Sequence, residues 1–158
     1  DPVFKVNPPL RTESDVMALR EALADGTIDI VATDHAPHPA ETKECEWQEA
    51  SFGMLGLETA LSIVNKTMVE TGLMNWSTVA ERMSYAPARI GRYSHQGQEL
   101  AVGAPAHIAV MDPTQLFRVD RDLVASRSRN TPFHGMELPG RILATIFAGR
   151  VVFEGSHA

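Results

Sequence analysis

IDIVATDHAPH, residues Ile28 to His38, is the stretch whose reading decides the fold. Its first half, Ile28 to Thr33, is rich in β-branched apolar residues, the composition of a buried strand. Its second half gathers Asp34, His35 and His38 within five residues, and Pro37 and Pro39 exclude a helix there. A strand that ends in a carboxylate and two imidazoles is how a (β/α)8 barrel carries its chemistry, on the face where strands end. A lone Asp after a strand is more simply a turn residue. It is the density of titratable groups directly behind an apolar run that makes this stretch a candidate site.

Working outward toward the N-terminus, Thr12 to Gly26 is expected to be a helix. Thr12 and Asp15 have capping-box spacing, Val16, Leu19 and Leu23 form one apolar stripe, and Gly26 stands where a helix closes. Before it, Val3 to Val6 alternates like a strand, and Asn7-Pro8-Pro9 turns away from it. Strand, loop, helix, strand is the repeating unit of a parallel α/β fold. No segment precedes Val3 to pair with it, so the sequence reads as a piece of something longer.

On the C-terminal side, Pro39 to Gly53 is a polar loop too long for a simple connector, and so part of a site. Leu55 to Thr71 is read as a helix with Leu57, Leu61, Val64 and Met68 on one face and Gly72 behind it. Ser77 to Tyr85 is read as another helix with Ser77 as its N-cap, and a short one starts at Pro87. After Gly97 the texture becomes β-rich. His107 to Met111 is expected as a strand ended by Asp112-Pro113, with Phe117 to Val119 a weaker candidate. Ile142 to Phe147 and Val151 to Phe153 form a hairpin through Ala148-Gly149-Arg150. The expected division is residues 1–92 as α/β units and residues 93–158 as a β-rich segment.

Composition bounds the possibilities. The chain has 158 residues, 44% hydrophobic and 22% charged, as in a globular protein. A net charge of -6 argues against a nucleic-acid partner, which requires clustered Lys and Arg. No apolar run is long enough to span a membrane. A single cysteine, Cys45, precludes an internal disulfide and points to a reducing compartment, the cytoplasm. Without a CxxC or a paired His, Cys45 is expected to be an inert thiol.

Six segments together resemble the C-terminal part of the dihydroorotase family of the amidohydrolase superfamily. They are KVNPPLR (Lys5 to Arg11), DIVATDHAPH (Asp29 to His38), FGMLGLET (Phe52 to Thr59), APARI (Ala86 to Ile90), VGAPAHIAVMDP (Val102 to Pro113) and NTPFHGMELPG (Asn130 to Gly140). The resemblance implies the last two βα units of a (β/α)8 barrel followed by part of a small β-sandwich. It implies a zinc-dependent, reversible cyclisation of N-carbamoyl-L-aspartate to dihydroorotate, with one or two zinc ions per site. Asp34 matches the aspartate that both ligates metal and carries the proton. Asn7 and His38 match substrate-binding residues, sharing one pocket with Asp34. Phe52 and Gly53 match a loop whose backbone meets the ring, the Phe52 side chain itself being open to a purely core role.

Other residues take blander readings. His35 is assigned to structural hydrogen bonding, and His134 and His157 to loop or terminal positions. Arg11, Glu58 and Arg89 are taken as structural charges. His107 departs from the family pattern, where an Asp commonly follows the alanine. The family's HxH metal-ligand pair does not occur in this sequence, so the isolated chain is expected to be inactive and to hold zinc poorly. It is expected to be completed by the remainder of its polypeptide or by self-association. Two other readings stand beside the enzyme. One is a catalytically silent scaffold for aspartate transcarbamoylase; the other is a related cyclic amidohydrolase of the dihydropyrimidinase or allantoinase type.

Overall fold

A computed structural model describes residues 1–155; His157 lies outside the described residues. The chain is α/β, with a helical first part and a three-stranded antiparallel sheet after it.

Val3 to Val6 does not form a strand. Pro2–Phe4 is a single 3-10 turn, set by the Asp1 carboxylate, which accepts the Val3 N–H at 2.9 Å, and by the fixed φ of Pro2. Alternating residues become a strand only when a neighbour takes their backbone groups in series; here the Lys5 carbonyl accepts the Gly53 N–H at 2.9 Å, but no ladder follows among the described residues.

Helix α1, Glu13–Asp25, begins and ends where its capping residues predict. The Asp15 carboxylate accepts the Thr12 N–H at 3.2 Å and the Thr12 hydroxyl at 2.8 Å, and Gly26 closes the helix in left-handed backbone. The Arg82 guanidinium donates to the Leu23 carbonyl at 3.0 Å, a cation placed where the helix leaves its carbonyls bare. The apolar stripe is only partly used. Leu23 packs on the core, but Leu19 remains exposed and no residue of α1 is fully buried.

Ile28 to Thr33 forms no ladder among the described residues, and Ile28 itself lies in a bend. The Val31 N–H donates to the Arg82 carbonyl at 3.1 Å, and the only strand-like pairing nearby is an isolated parallel bridge between His35 and Met54. The loop after it holds one helical turn, α2, Ala40–Lys43.

The second expected helix starts later than its apolar stripe suggests. Helix α3, Ala60–Val64, passes into a π-helical turn, Asn65–Val69, in which the Glu70 N–H reaches the Asn65 carbonyl at 2.9 Å. Val64 and Met68 are buried, whereas Leu57 lies before the helix and is 60% exposed. Helix α4, Trp76–Ala80, is capped by Asn75 rather than Ser77. The Asn75 side chain accepts the Thr78 N–H at 2.9 Å, and an amide oxygen two positions earlier displaces the serine. A second π-helical turn, Glu81–Tyr85, leads without a break into α5, Ala86–Gly91, so Pro87 begins no separate helix. Val64, Met68, Met74 and Val79 form the core, with Leu23, Val31, Leu61 and Met83 packed around them.

Strand β1, Ile108–Arg118, takes in both strands expected between His107 and Val119. Asp112-Pro113 does not end it but forms a bulge, since the register jumps between Asp112 and Leu116. The Asp112 carboxylate accepts the Thr114 N–H and hydroxyl at 2.8 and 2.7 Å, and Pro113, with no N–H to give, sits where the ladder is already interrupted. Strand β2, Glu137–Phe147, is central. It pairs with β3, Arg150–Glu154, through a two-residue turn in which Ala148 (φ 48°) and Gly149 (φ 76°) both have the positive φ of a type I′ hairpin. His107 lies edge-on to Phe147 at this end of the sheet. The helical part meets the sheet through buried polar contacts. Ser62 donates to the Gly140 carbonyl at 2.8 Å and Asn65 to the Pro113 carbonyl at 2.9 Å.

Candidate active site

Asp34 follows the Ile28 to Thr33 segment with φ 44°, a left-handed conformation that Asp tolerates better than most side chains. Its side chain is exposed and makes no hydrogen bond or ion pair among the described residues. The carboxylate is therefore free to act on something that is not this chain. Asn7 is also exposed.

His35 turns the other way. Its Nδ1 accepts the N–H groups of Gly56 and Leu57 at 3.1 and 3.3 Å, so it fastens the strand end to the next loop. Three residues on, His38 Nε2 lies 2.8 Å from the Phe52 carbonyl. A carbonyl only accepts, so Nε2 carries the proton and Nδ1 is the ring atom left for another partner. Gly53 is pressed against this pair. Its φ is 131°, and a side-chain carbon there would stand 2.5 Å from the Ala36 Cβ and 3.0 Å from His38 Nε2. His38, Phe52 and Gly53 thus form one cluster. Phe52 is no core residue, being 57% exposed with the Lys5 ammonium 4.7 Å from its ring centre.

Three residues that the sequence reading left without a role hold this cluster. Lys5 and Lys43 are both buried. Lys5 donates to the Trp47 and Gln48 carbonyls at 2.7 and 3.0 Å, and Lys43 to the Lys5 and Ser51 carbonyls at 3.0 and 2.9 Å. Neither meets a carboxylate among the described residues, so backbone dipoles, joined at Lys5 by the Phe52 ring, offset their desolvation. Burial, reinforced by the neighbouring Lys5 charge and opposed by Cys45, lowers the Lys43 amine below its ordinary value. The two lysines staple the loop carrying Phe52 to the segment that leads into Asn7. The third residue is Asn130, buried between the His38 and Gly53 loops. A lysine by itself gives no sequence signal of burial, whether its neighbours are apolar, as at Lys5, or polar, as at Lys43. Asn130 had one, its place at the head of NTPFHGMELPG.

A cleft of about 630 Å³ opens beside the cluster, lined by Phe4, His38, Lys43, Arg127, Arg129 and Asn130 among others. Asp34 and Asn7 are not among the walls of this cleft. Nor do three or more His, Cys, Asp or Glu side chains converge anywhere among the described residues in a way that could hold a metal ion. A catalytic zinc takes three protein ligands. The residues present therefore do not fit a zinc site by themselves.

The remaining charges have local tasks. Glu58 accepts the Ala125 N–H at 3.0 Å, Arg11 pairs with Asp15 at 3.4 Å, and Arg89 pairs with Glu81.

The model of the amidohydrolase family matches residues 6–152. The chain belongs to the amidohydrolase family. Among curated proteins, the dihydroorotase of Streptomyces coelicolor is 61% identical over 150 residues, which cover 95% of this chain and 35% of that protein. The dihydroorotase of Mycobacterium tuberculosis is 53% identical over 151 residues, covering 96% and 35%. Among solved structures, an L-hydantoinase (dihydropyrimidinase) from Arthrobacter aurescens has a TM-score of 0.89 at 35% identity, covering 97% of this chain and 35% of that one. A D-hydantoinase (dihydropyrimidinase) from Thermus sp. has a TM-score of 0.86 at 25% identity, covering 97% and 34%. This amidohydrolase chain spans about a third of the length of the relatives it matches. No helix among the described residues is long and apolar enough to cross a membrane.

Proposed function

We propose that these residues are the C-terminal third of a dihydroorotase, a cytoplasmic enzyme that interconverts N-carbamoyl-L-aspartate and dihydroorotate. The observation that carries the reading is the identity of 61% to a curated dihydroorotase across 95% of the chain, against 35% for the hydantoinase. In this reading residues 1–92 are the last two βα units of a (β/α)8 barrel. Residues 93–158 belong to the adjoining β-rich domain. The β-branched stretch before Asp34 gains its ladder from strands that lie outside this chain.

The chemistry assigned to these residues is proton transfer and ring binding. In the hydrolytic direction water adds to the ring amide carbon, the C–N bond breaks, and the departing nitrogen needs a proton. The free Asp34 carboxylate takes that proton from water and delivers it to nitrogen. His38, Asn7 and the backbone around Phe52 and Gly53 bind the substrate. Zinc is the metal that the family resemblance implies. Asp34 is the one ligand this chain offers it, and the other ligands belong to the remainder of the polypeptide.

A hydantoin- or allantoin-type cyclic amidohydrolase is the second reading, favoured by the TM-score of 0.89 to the hydantoinase. A silent scaffold for aspartate transcarbamoylase is the third. The test is the complete polypeptide carrying this chain, loaded with zinc and assayed on dihydroorotate, hydantoin and allantoin. Turnover of dihydroorotate above the other two is expected, and preference for either of those rings, or no turnover at all, overturns the reading. In the same assay Asp34→Asn, which keeps the side-chain shape and tolerates left-handed backbone, lowers turnover by about 10²- to 10⁴-fold.

A further inference from the structure

Asn130 stands 92 residues beyond His38 in the chain, yet its side chain is spent on the loops of the candidate site. Its Oδ1 accepts the His38 N–H at 3.2 Å. Its Nδ2 donates to the Ala36 carbonyl at 2.9 Å and toward the Gly53 carbonyl at 3.4 Å. Its own main-chain carbonyl accepts the Leu55 N–H at 3.1 Å. The orientation of the amide is fixed by its neighbours, since an N–H requires the oxygen and two carbonyls require the nitrogen. Asn130 is 6% exposed, so water does not replace these partners freely.

We propose that Asn130 is a positioning residue for substrate binding, a bracket that sets His38 against the Phe52–Gly53 backbone. The inference rests on the substrate role given to His38, Phe52 and Gly53 above. The physical argument is one of reach. The loop from Asp34 to Pro39 and the loop from Ser51 to Leu55 approach each other from different parts of the chain. Between them run the Ala36 N–H to Met54 carbonyl bond at 3.0 Å and the His38 to Phe52 contact. An exposed imidazole contact alone leaves the His38 main chain free to rotate. A buried amide that holds both the residue's N–H and the two carbonyls facing it removes that freedom. The side-chain hydrogen bonds go to His38, Ala36 and Gly53 and not to Asp34, so it acts through His38 and the loop backbone rather than on the reacting atoms.

The test uses the complete, zinc-loaded polypeptide. Asn130→Ala raises the KM for dihydroorotate by about 10- to 100-fold, as displacement of a binding group by an ångström does, while kcat falls by less. In a His38→Ala background the same substitution adds little further to KM, because the group it positions is gone. Should Asn130→Ala not yield folded protein, Asn130→Asp carries the test. It has the same size and keeps the acceptor for the His38 N–H, but donates nothing to the two carbonyls, and the same split is expected. An unmoved KM in a folded variant, or full additivity with His38→Ala, overturns the proposal while leaving the activity assignment intact. Absence of dihydroorotate turnover in the unsubstituted polypeptide overturns both.

Discussion

Gly53 shows how much of the site is decided by the space around a single residue. With φ at 131° and the Ala36 Cβ 2.5 Å from where its own side chain would begin, any L-residue there strains the backbone and pushes on the neighbouring loop. The loop cannot yield easily, because the Gly53 N–H is held by the Lys5 carbonyl at 2.9 Å. Gly53→Ala is therefore expected to cost about 1–3 kcal/mol, read as a lower urea midpoint with an unchanged slope. A midpoint equal to that of the unsubstituted protein would show that the loop relaxes without cost. Asp34 illustrates the complementary case. It occupies left-handed backbone without being glycine, and the carboxylate held there has no partner among the described residues.

At the scale of elements, α1 carries a pH-dependent cap. The Thr12 hydroxyl, then the Thr12 N–H, lower the Asp15 carboxyl below its ordinary value of 3.8, with Arg11 helping and partial desolvation opposing. A carboxyl lowered on folding gives stability that is complete above its unfolded value and is lost as pH falls through the folded one. The first turn of α1 should thus fray as the pH falls below the ordinary carboxyl value of 3.8, seen as lower protection factors at residues 13–16 once the intrinsic pH dependence of exchange is divided out. Asp15→Asn should abolish that dependence. The separate titration of Asp25, lowered chiefly by the Thr27 N–H, should persist at the other end of the helix. Loss of protection at both ends together in the variant would mean that the cap is not the cause.

For the molecule as a whole, the question is what holds the sheet to the helices. Asn65 is 2% exposed and its amide supplies the Pro113 carbonyl at the β1 bulge, while Ser62 supplies the Gly140 carbonyl on β2. Asn65→Ala leaves that carbonyl bare beside a small cavity and should cost about 1–3 kcal/mol, measured by denaturant unfolding. One cooperative transition shifted downward is expected; a sheet that melts separately from the helices would show that these contacts do not couple them. The same bulge explains why Asp112-Pro113 does not end a strand. Proline removes one ladder bond, but Asp112 recovers the turn by binding Thr114 and Gln115.

The sequence by itself determined what a few neighbouring residues can settle. The cap and stop of α1, the Ala148-Gly149 hairpin and the grouping of Asp34, His35 and His38 all depend on atoms within a few residues of one another. Tertiary structure alone decided matters that need a distant partner. Val3 to Val6 and Ile28 to Thr33 have the side chains of strands, but a strand exists only when another segment takes its N–H and C=O groups. Leu57 fits an apolar stripe yet lies ahead of the helix that would bury it. Lys5 and Lys43 carry no mark of burial in the sequence; it is carbonyls far away in the chain that surround them. Burial of a polar group is offset only by those partners, and which partners arrive is a property of the folded chain.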